Sequence, residues 1–248
     1  MAKSSGLGAL FFVDEYDISG DTGSVERMAQ ISRVLDVTAI NASGHERMHS
    51  HVDGELSFST FFNDAAGQQH LALRNPQGEG DRVASYFQGS TIGNMAACMA
   101  AKQIDYAGNR SADGGLTFSV QCQASTGKGL DFCRMLTAGK RTDTGATNGS
   151  SLDGGAATAL GLAAYLHVIS FAGTDATVTI QESSDDGAGD AFAPVTGGAF
   201  TQVVGVTKER IVTSLTLAVE RYLRVATSTS AGFSNMVFAV AATRYPVA

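Results

Sequence analysis

Within this 248-residue chain, His45-Glu46-Arg47-Met48-His49 has the residue types and spacing that could do chemistry. Two histidines four apart, with a glutamate beside the first, match the zinc-hydrolase pattern. There a helix turns both imidazoles to one face and the carboxylate acts as general base on metal-bound water. The surrounding sequence does not supply that helix. Asn41-Ala42-Ser43-Gly44 ahead of the motif is a turn, and Asp53-Gly54 ends the segment before a strand at Glu55, so barely two helical turns fit. The extended pattern, with a glycine and then a third histidine, meets Val52 and Glu55 instead. On a strand, His49 and His51 would share a face and, with His45, could hold a structural or adventitious metal. The plain reading is a solvated, histidine-rich junction between loop and strand. A zinc metallohydrolase using His45, Glu46 and His49 remains the enzymatic alternative; the expectation is no enzyme and no cofactor.

Other chemical signals are thinner. No Gly-x-Ser-x-Gly elbow is present to anchor acyl transfer. Gly78-Glu79-Gly80-Asp81 and Gly127-Lys128-Gly129 lack the spacing of a phosphate loop and read as turns. Ser183 to Asp190 gathers three aspartates near glycines, but no glutamate closes it as in a calcium loop, so it reads as a solvated hairpin tip. Cys98, Cys122 and Cys133 are an odd number without CxxC spacing, which suggests buried thiols rather than a disulfide framework or a four-cysteine zinc site.

The elements that must position these groups are strands. Gly is plentiful (29) and Pro scarce (3), against averages of roughly 7% and 5%, and Trp is absent, so many short elements joined by glycine turns are expected. Leu10–Val13, Val34–Ile40, Glu55–Phe61 and the alternating Leu116–Gln123 read as strands in the first half. Tyr165–Phe171, Ala176–Gln181, Arg221–Thr227 and Met236–Val240 do so in the second. Asn63–Leu73 reads as one short helix, and Asn94–Ile104 suits either a helix or a strand. Small and polar residues dominate Thr137–Gly161. The expected organisation is therefore 1–142 and 161–248 as two antiparallel β-sandwich domains, mainly β, joined by a flexible linker at 143–160.

The formal charge is −7, shared as −4 over residues 1–149 and −3 over 150–248. That balance disfavours a grip on nucleic-acid phosphates, which takes clustered Lys and Arg. No apolar run is long enough to span a membrane. The five-residue apolar run near the N-terminus is short of the roughly 7–15 of a signal-peptide core, so synthesis in the cytoplasm is expected.

The order of segments from Ser24 to Phe62, with the turn Phe58-Ser59-Thr60-Phe61-Phe62-Asn63-Asp64, a small helix and the late strand Leu116–Gln123, resembles the major tail tube proteins of long-tailed (siphovirus-type) bacteriophages. The second half is similar to an accessory β domain that some of them append, and His45–His51 departs from the family pattern. The resemblance implies a structural virion protein whose first domain is tail-tube-like. It would polymerise into stacked rings, hexameric in the family, that conduct DNA during ejection into the host without binding it specifically. The implied partners are the chain itself, a tape measure protein, a tail terminator and distal tail proteins, with assembly in the host cytoplasm and residence in the virion tail. Within that picture Asn41, His45, Glu46, His49, His51 and Asp53 are subunit-interface candidates, because a long polar loop in a compact domain is usually functional. Asp14, Glu15, Asp17 and Asp21 are candidates either for the lumen wall or for a solvated outer face. A carbohydrate-binding module in the second half is the competing class, with Tyr165, Tyr222, Tyr245 and phenylalanines as its available platforms.

Overall fold

The computed structural model describes residues 6–76, 80–125 and 129–245. The turns read at Gly78-Glu79 and Gly127-Lys128 lie outside the described residues. The first half contributes β1 (Leu10–Val13), β2 (Tyr16–Asp17), β3 (Thr22–Asp36), β4 (Arg47–Phe61), helix α1 (Gln69–Leu73), β5 (Arg82–Phe87), β6 (Met95–Arg110), β7 (Leu116–Ala124) and β8 (Asp131–Met135). Short strands β9 (Arg141–Asp143), β10 (Thr147–Asn148) and β11 (Leu152–Asp153) follow. The second half adds β12 (Ala163–Gly173), β13 (Thr177–Ser183), β14 (Ala193–Ala199), β15 (Thr207–Val212), β16 (Tyr222–Ser228) and β17 (Phe233–Thr243).

The protein is mainly β, built from two antiparallel sheets. A 12-stranded sheet runs β15-β12-β17-β8-β6-β5-β1-β2, with β7, β4 and β3 branching from β6 and β9 alongside β17. A 5-stranded sheet runs β10-β16-β13-β14, with β11 also on β16. Most sequence-predicted strands are present. The segment expected to link two domains is itself paired, since β10 and β11 both bond β16. The large sheet also crosses that boundary, with β17 bonding β8 and β9.

Alternation explains which residues face where. On β4 and β7, Leu56, Phe58, Val120 and Cys122 point into a first core with Phe11, Met99 and Leu130. On β12 and β17, Leu166, Val168, Phe238 and Val240 point into a second core between the sheets. The opposite faces of β12 and β17, carrying Tyr165, Ala239 and Ala241, enter a third cluster with Phe12, Phe87, Ala96 and Met135. Strands buried on both faces read as continuous apolar runs rather than alternating ones. The same holds for the start of β6, where Ala97, Met99 and Ala101 face the first core and Ala96 and Cys98 the third. Small alanines let both layers close on β6, which settles the ambiguity at Asn94–Ile104 in favour of a strand. The helix is shorter than its predicted span: the Asn63 side chain accepts the Ala65 N–H and Gly67 takes φ +78°, holding the chain in turns until Gln69. All three cysteines are buried and unbridged, and burial pushes the Cys122 thiol up to about 12.

Two buried polar clusters join the halves. Asp14 accepts Arg82 Nη1 at 2.8 Å on Oδ2 and the Val83 N–H at 2.9 Å on Oδ1, and Lys208 Nζ stands 3.2 Å from Oδ1. His167 Nδ1–H donates to the Asp14 carbonyl at 2.6 Å, and its Nε2 lies 2.8 Å from Ser85 Oγ. Two residues back along β12, the Tyr165 hydroxyl bonds Asp131, and Arg210 reaches both at 2.8 and 3.2 Å.

Candidate assembly surfaces

The histidine-rich segment is neither a helix nor mainly a loop. Arg47 opens β4, and the strand pairs with β3 as far as Asp36↔Arg47, so the outer part of this long hairpin leaves the body. Its residues from Arg33 to His49, Ala42 apart, are exposed, among them Val34, Leu35, Val37 and Met48, with Ile40 fully exposed. The expected strand Val34–Ile40 stops at Asp36, and the connection is shorter than the loop read from Asn41 to Asp53.

His45 Nδ1 lies 3.1 Å from Asp36, His49 Nδ1 2.9 Å from Ser32 Oγ, and His51 Nδ1 2.7 Å from Ser50 Oγ. The register shifts between the pairs Ser32↔Val52 and Val34↔His49, so Ser50 and His51 sit at a bulge where strand alternation does not set His49 and His51 on one face, and each imidazole has its own neighbour. Among the described residues no group of three or more His, Cys, Asp or Glu is placed to hold a metal ion. The zinc-hydrolase geometry, which needs both imidazoles on one helix face, is absent. Thr38, and then His45, hold the Asp36 carboxyl below the usual carboxylate range, so this carboxylate fixes the hairpin connection. Asn41 and Glu46 sit in that connection, and Asp53 lies where the hairpin re-enters the body.

The acidic residues around β1 are not a free negative surface. Asp14 is 2% exposed and Asp21 8%; the first sits in the ion cluster above and the second accepts Asn63 Nδ2 at 2.8 Å and the Gln69 N–H at 3.2 Å. These two are corrected as lumen candidates, because their carboxylates are consumed inside the fold. Asp17 pairs with Lys140; burial pushes its carboxyl up, but the Lys140 and Ser19 hydrogen bonds outweigh that and hold it low. Glu15 lies 3.9 Å from Lys208.

What the sequence reading missed is a pair of open strand edges. Among the described residues β3 pairs only with β4, and β6 beyond Ala101 only with β7. The strip β6-β7-β4-β3 therefore ends in two unpaired edges, Lys102–Arg110 on one side and Thr22–Asp36 on the other. Its face away from the core is polar and small: Ser57 stands opposite Gln121, Ser59 opposite Ser119, and Ala107 beside Ser119. Ser24 Oγ and Ser59 Oγ are 2.8 Å apart, and Glu55 takes Arg27 at 2.9 Å and Gln121 at 3.0 Å. The signal that could have found this face was the serine alternation in Glu55–Phe61, read together with its partner Leu116–Gln123.

Gly54 lets the strip cross the body: a Cβ there would stand 2.5 Å from the Leu130 backbone nitrogen. The sugar-platform aromatics do not converge. Tyr165 is fully buried, whereas Tyr245 is exposed. No helix among the described residues is long and apolar enough to cross a membrane.

No known family profile matches the sequence, and no curated protein matches it. Among solved structures, a chain of a native gene transfer agent virion is similar at 12% identity, covering 52% of this chain and 98% of that one, with TM-score 0.42. The Dit protein of phage SPP1, described as a hub of the adsorption apparatus, is similar at 11% identity over 93% of this chain and 98% of that one, with TM-score 0.35. A chain of the phage p2 baseplate in its activated conformation follows at 8% identity, 96% and 99% coverage and TM-score 0.33.

Proposed function

We propose that this chain is a structural protein of a bacteriophage tail that polymerises into rings, and that the stacked rings form the tail tube through which DNA leaves the particle. The observation that carries the reading is the strip with two open edges. Its four strands alternate in direction, so β3 of one copy laid beside β6 of the next continues the antiparallel order. Each copy adds four strands, and the contact is heterologous, which closes into a ring when the rotation per copy allows. Unpaired edges of this length invite pairing, and closing a ring removes them.

In such a ring the hydroxyl and amide face of the strip lines the channel. Such a wall offers DNA phosphates no cluster of cations to hold them, since Arg27 is spoken for by Glu55. The net charge of −7 per copy adds repulsion around the ring. The hairpin beyond Gln30, with Asn41, His45, Glu46, His49, His51 and Asp53, supplies contacts between copies or between stacked rings. The chain itself, a tape measure protein, a tail terminator and distal tail proteins are the partners of this reading.

Negative-stain electron microscopy of the purified protein tests it, and rings or tubes are the expected image. Ile104 is passed over where the β6–β7 register shifts and is 48% exposed at the open edge. Ile104→Pro and Ile104→Lys are therefore both expected to abolish rings while leaving thermal unfolding of the single chain nearly unchanged. Persistent monomers of the unaltered protein at high concentration would overturn the proposal.

A further inference from the structure

At one end of the second core, between the edge of the large sheet at β8 and β17 and the small sheet at β11 and β16, lies a cleft of about 240 Å³. Its floor is apolar, formed by Leu136, Leu152, Leu223 and Ala242. Its rim holds three guanidinium groups, Arg134, Arg221 and Arg244. Phe132 and Tyr245 stand at the mouth, 50% and 64% exposed.

The charges at this rim do not balance. Arg221 is matched by Asp153, with two hydrogen bonds of 2.7 Å. Among the described residues Arg244 donates to neutral backbone carbonyls, those of Ala156, Glu220 and Gly154. Its guanidinium passes so close to Gly154 that a Cβ there would stand 1.9 Å from Nη2. Arg134 makes no hydrogen bond or ion pair among the described residues, and it lies on the same strand face as Phe132. Burial holds Arg244 below the ordinary arginine range; Tyr245 and Asp153 oppose that shift, and the Arg134 charge adds to it. In a chain of net charge −7, three guanidinium groups against the Asp153 carboxylate, which is taken by Arg221 and also acts on Arg244, leave an excess of positive charge over an apolar floor.

We propose that this cleft binds an oxyanion carried on a compact ring, such as a phosphorylated sugar. The oxyanion sits between Arg134 and Arg244, and the ring's less polar face rests on Leu152 and Leu223 beside Tyr245. Arginine suits a phosphate or carboxylate because its planar fork of donors matches two oxygens at once. The apolar floor and the tyrosine serve the ring, as in ligand pockets that place a few polar groups over an apolar lining. The site stands apart from the open edges and hairpin, so it does not depend on how copies assemble.

Calorimetric titration of the full chain at low ionic strength, with glucose 6-phosphate, glucose and inorganic phosphate as separate probes, tests the proposal. Glucose 6-phosphate is expected to saturate one site per chain and to bind more tightly than either of the other two. Arg134→Gln is expected to weaken it at least tenfold with an unchanged unfolding midpoint, and Phe132→Ser to weaken it less. Arg74→Gln, which removes a cation elsewhere on the surface, is expected to leave it unchanged. Equal binding of inorganic phosphate would overturn the role of the floor. No saturable binding, or equal losses in Arg74→Gln and Arg134→Gln, would overturn the site. Binding that disappears when copies assemble would assign the cleft to a contact between copies instead.

Discussion

The seam between the two halves and the β3–β4 hairpin are both made of strands, yet they treat polar groups in opposite ways. At the seam, Asp14, Arg82, His167 and Ser85 are buried beside the third apolar cluster and joined by hydrogen bonds, with the partly exposed Lys208 against Asp14. On the hairpin, backbone groups along one edge of β3 have no strand partner among the described residues, and the large apolar side chains of its outer part, Val34, Leu35, Val37, Ile40 and Met48, are exposed. The seam is a finished contact within one chain. In the proposed rings the hairpin makes its contacts between copies. Substitutions at the seam are therefore expected to act on the stability of one chain, and substitutions on the hairpin on association.

The largest effect is expected where a buried charge loses its partner. Asp14→Ala strands Arg82, whose side chain is 3% exposed, and leaves Lys208 without its nearest carboxylate. Breaking one member of such a pair costs about 3–5 kcal/mol. Urea unfolding of Asp14→Ala should show a loss of that order. A loss under about 1 kcal/mol, the usual worth of an exposed pair, would mean that the seam is solvated.

The next effect is one of pH. Burial pushes His167 down to about 4 from its ordinary value of 6.5, despite the Asp14 carbonyl and carboxylate. The charged and polar groups around it are Asp14 and Glu15 after β1, Arg82 and Ser85 on β5, and Lys208 on β15. With the folded pKa depressed, the unfolded chain binds the proton first as pH falls. Stability contributed by the neutral ring is therefore complete above pH 6.5 and is lost progressively down to about pH 4. The shift corresponds to roughly 3 kcal/mol at 1.36 kcal/mol per unit. His167→Asn should be less stable at pH 7, and the steep part of its stability curve between pH 6.5 and 4 should flatten. An unchanged slope would place the acid sensitivity elsewhere.

How far the sequence reaches follows the same divide. The alternation in Leu116–Gln123 and Glu55–Phe61 made their strands legible, because one face of each is buried and the other is not. The seam was not legible: β12 and β17 are buried on both faces, so Tyr165 and His167 looked like members of one sheet rather than bridges to Asp131 and Asp14. The glycine-rich stretch at 143–160 looked like a linker because two-residue strands such as β10 and β11 leave no periodic trace. The acids near β1 looked like a surface because composition cannot report that Arg82 and Lys208, far along the chain, come to meet Asp14. The histidine motif had residue types without a helix to carry them, and flanking turns were enough to doubt it. The hairpin was half legible, since exposed strands lack the pattern that burial imposes.

A smaller effect is expected at the crossing of the strip over the body. Gly54→Ala forces a Cβ into the Leu130 backbone, so one of the two segments must shift. The cost falls in the range of about 1–3 kcal/mol typical of overpacking, read as a lower urea midpoint. Because the strip carries both open edges, ring formation should weaken along with it.

The smallest effect on the single chain, and the sharpest test of the comparison, belongs to the hairpin's exposed apolar residues. Val34 and Ile40 are 54% and 107% exposed, so Ile40→Ser removes no buried area within the chain and Val34→Ser only part of one side chain's. Surface substitutions of this kind usually stay within about 0.5 kcal/mol, and the unfolding midpoint should barely move. A two-stranded ribbon standing outside a core gains little stability of its own, so its apolar side chains matter through whatever covers them. If copies cover them, the double variant should raise the concentration at which rings or stacks appear, read by sedimentation velocity with negative-stain imaging. A fall in stability with assembly unchanged would mean that the hairpin folds back on its own body, and the contrast with the seam would then disappear.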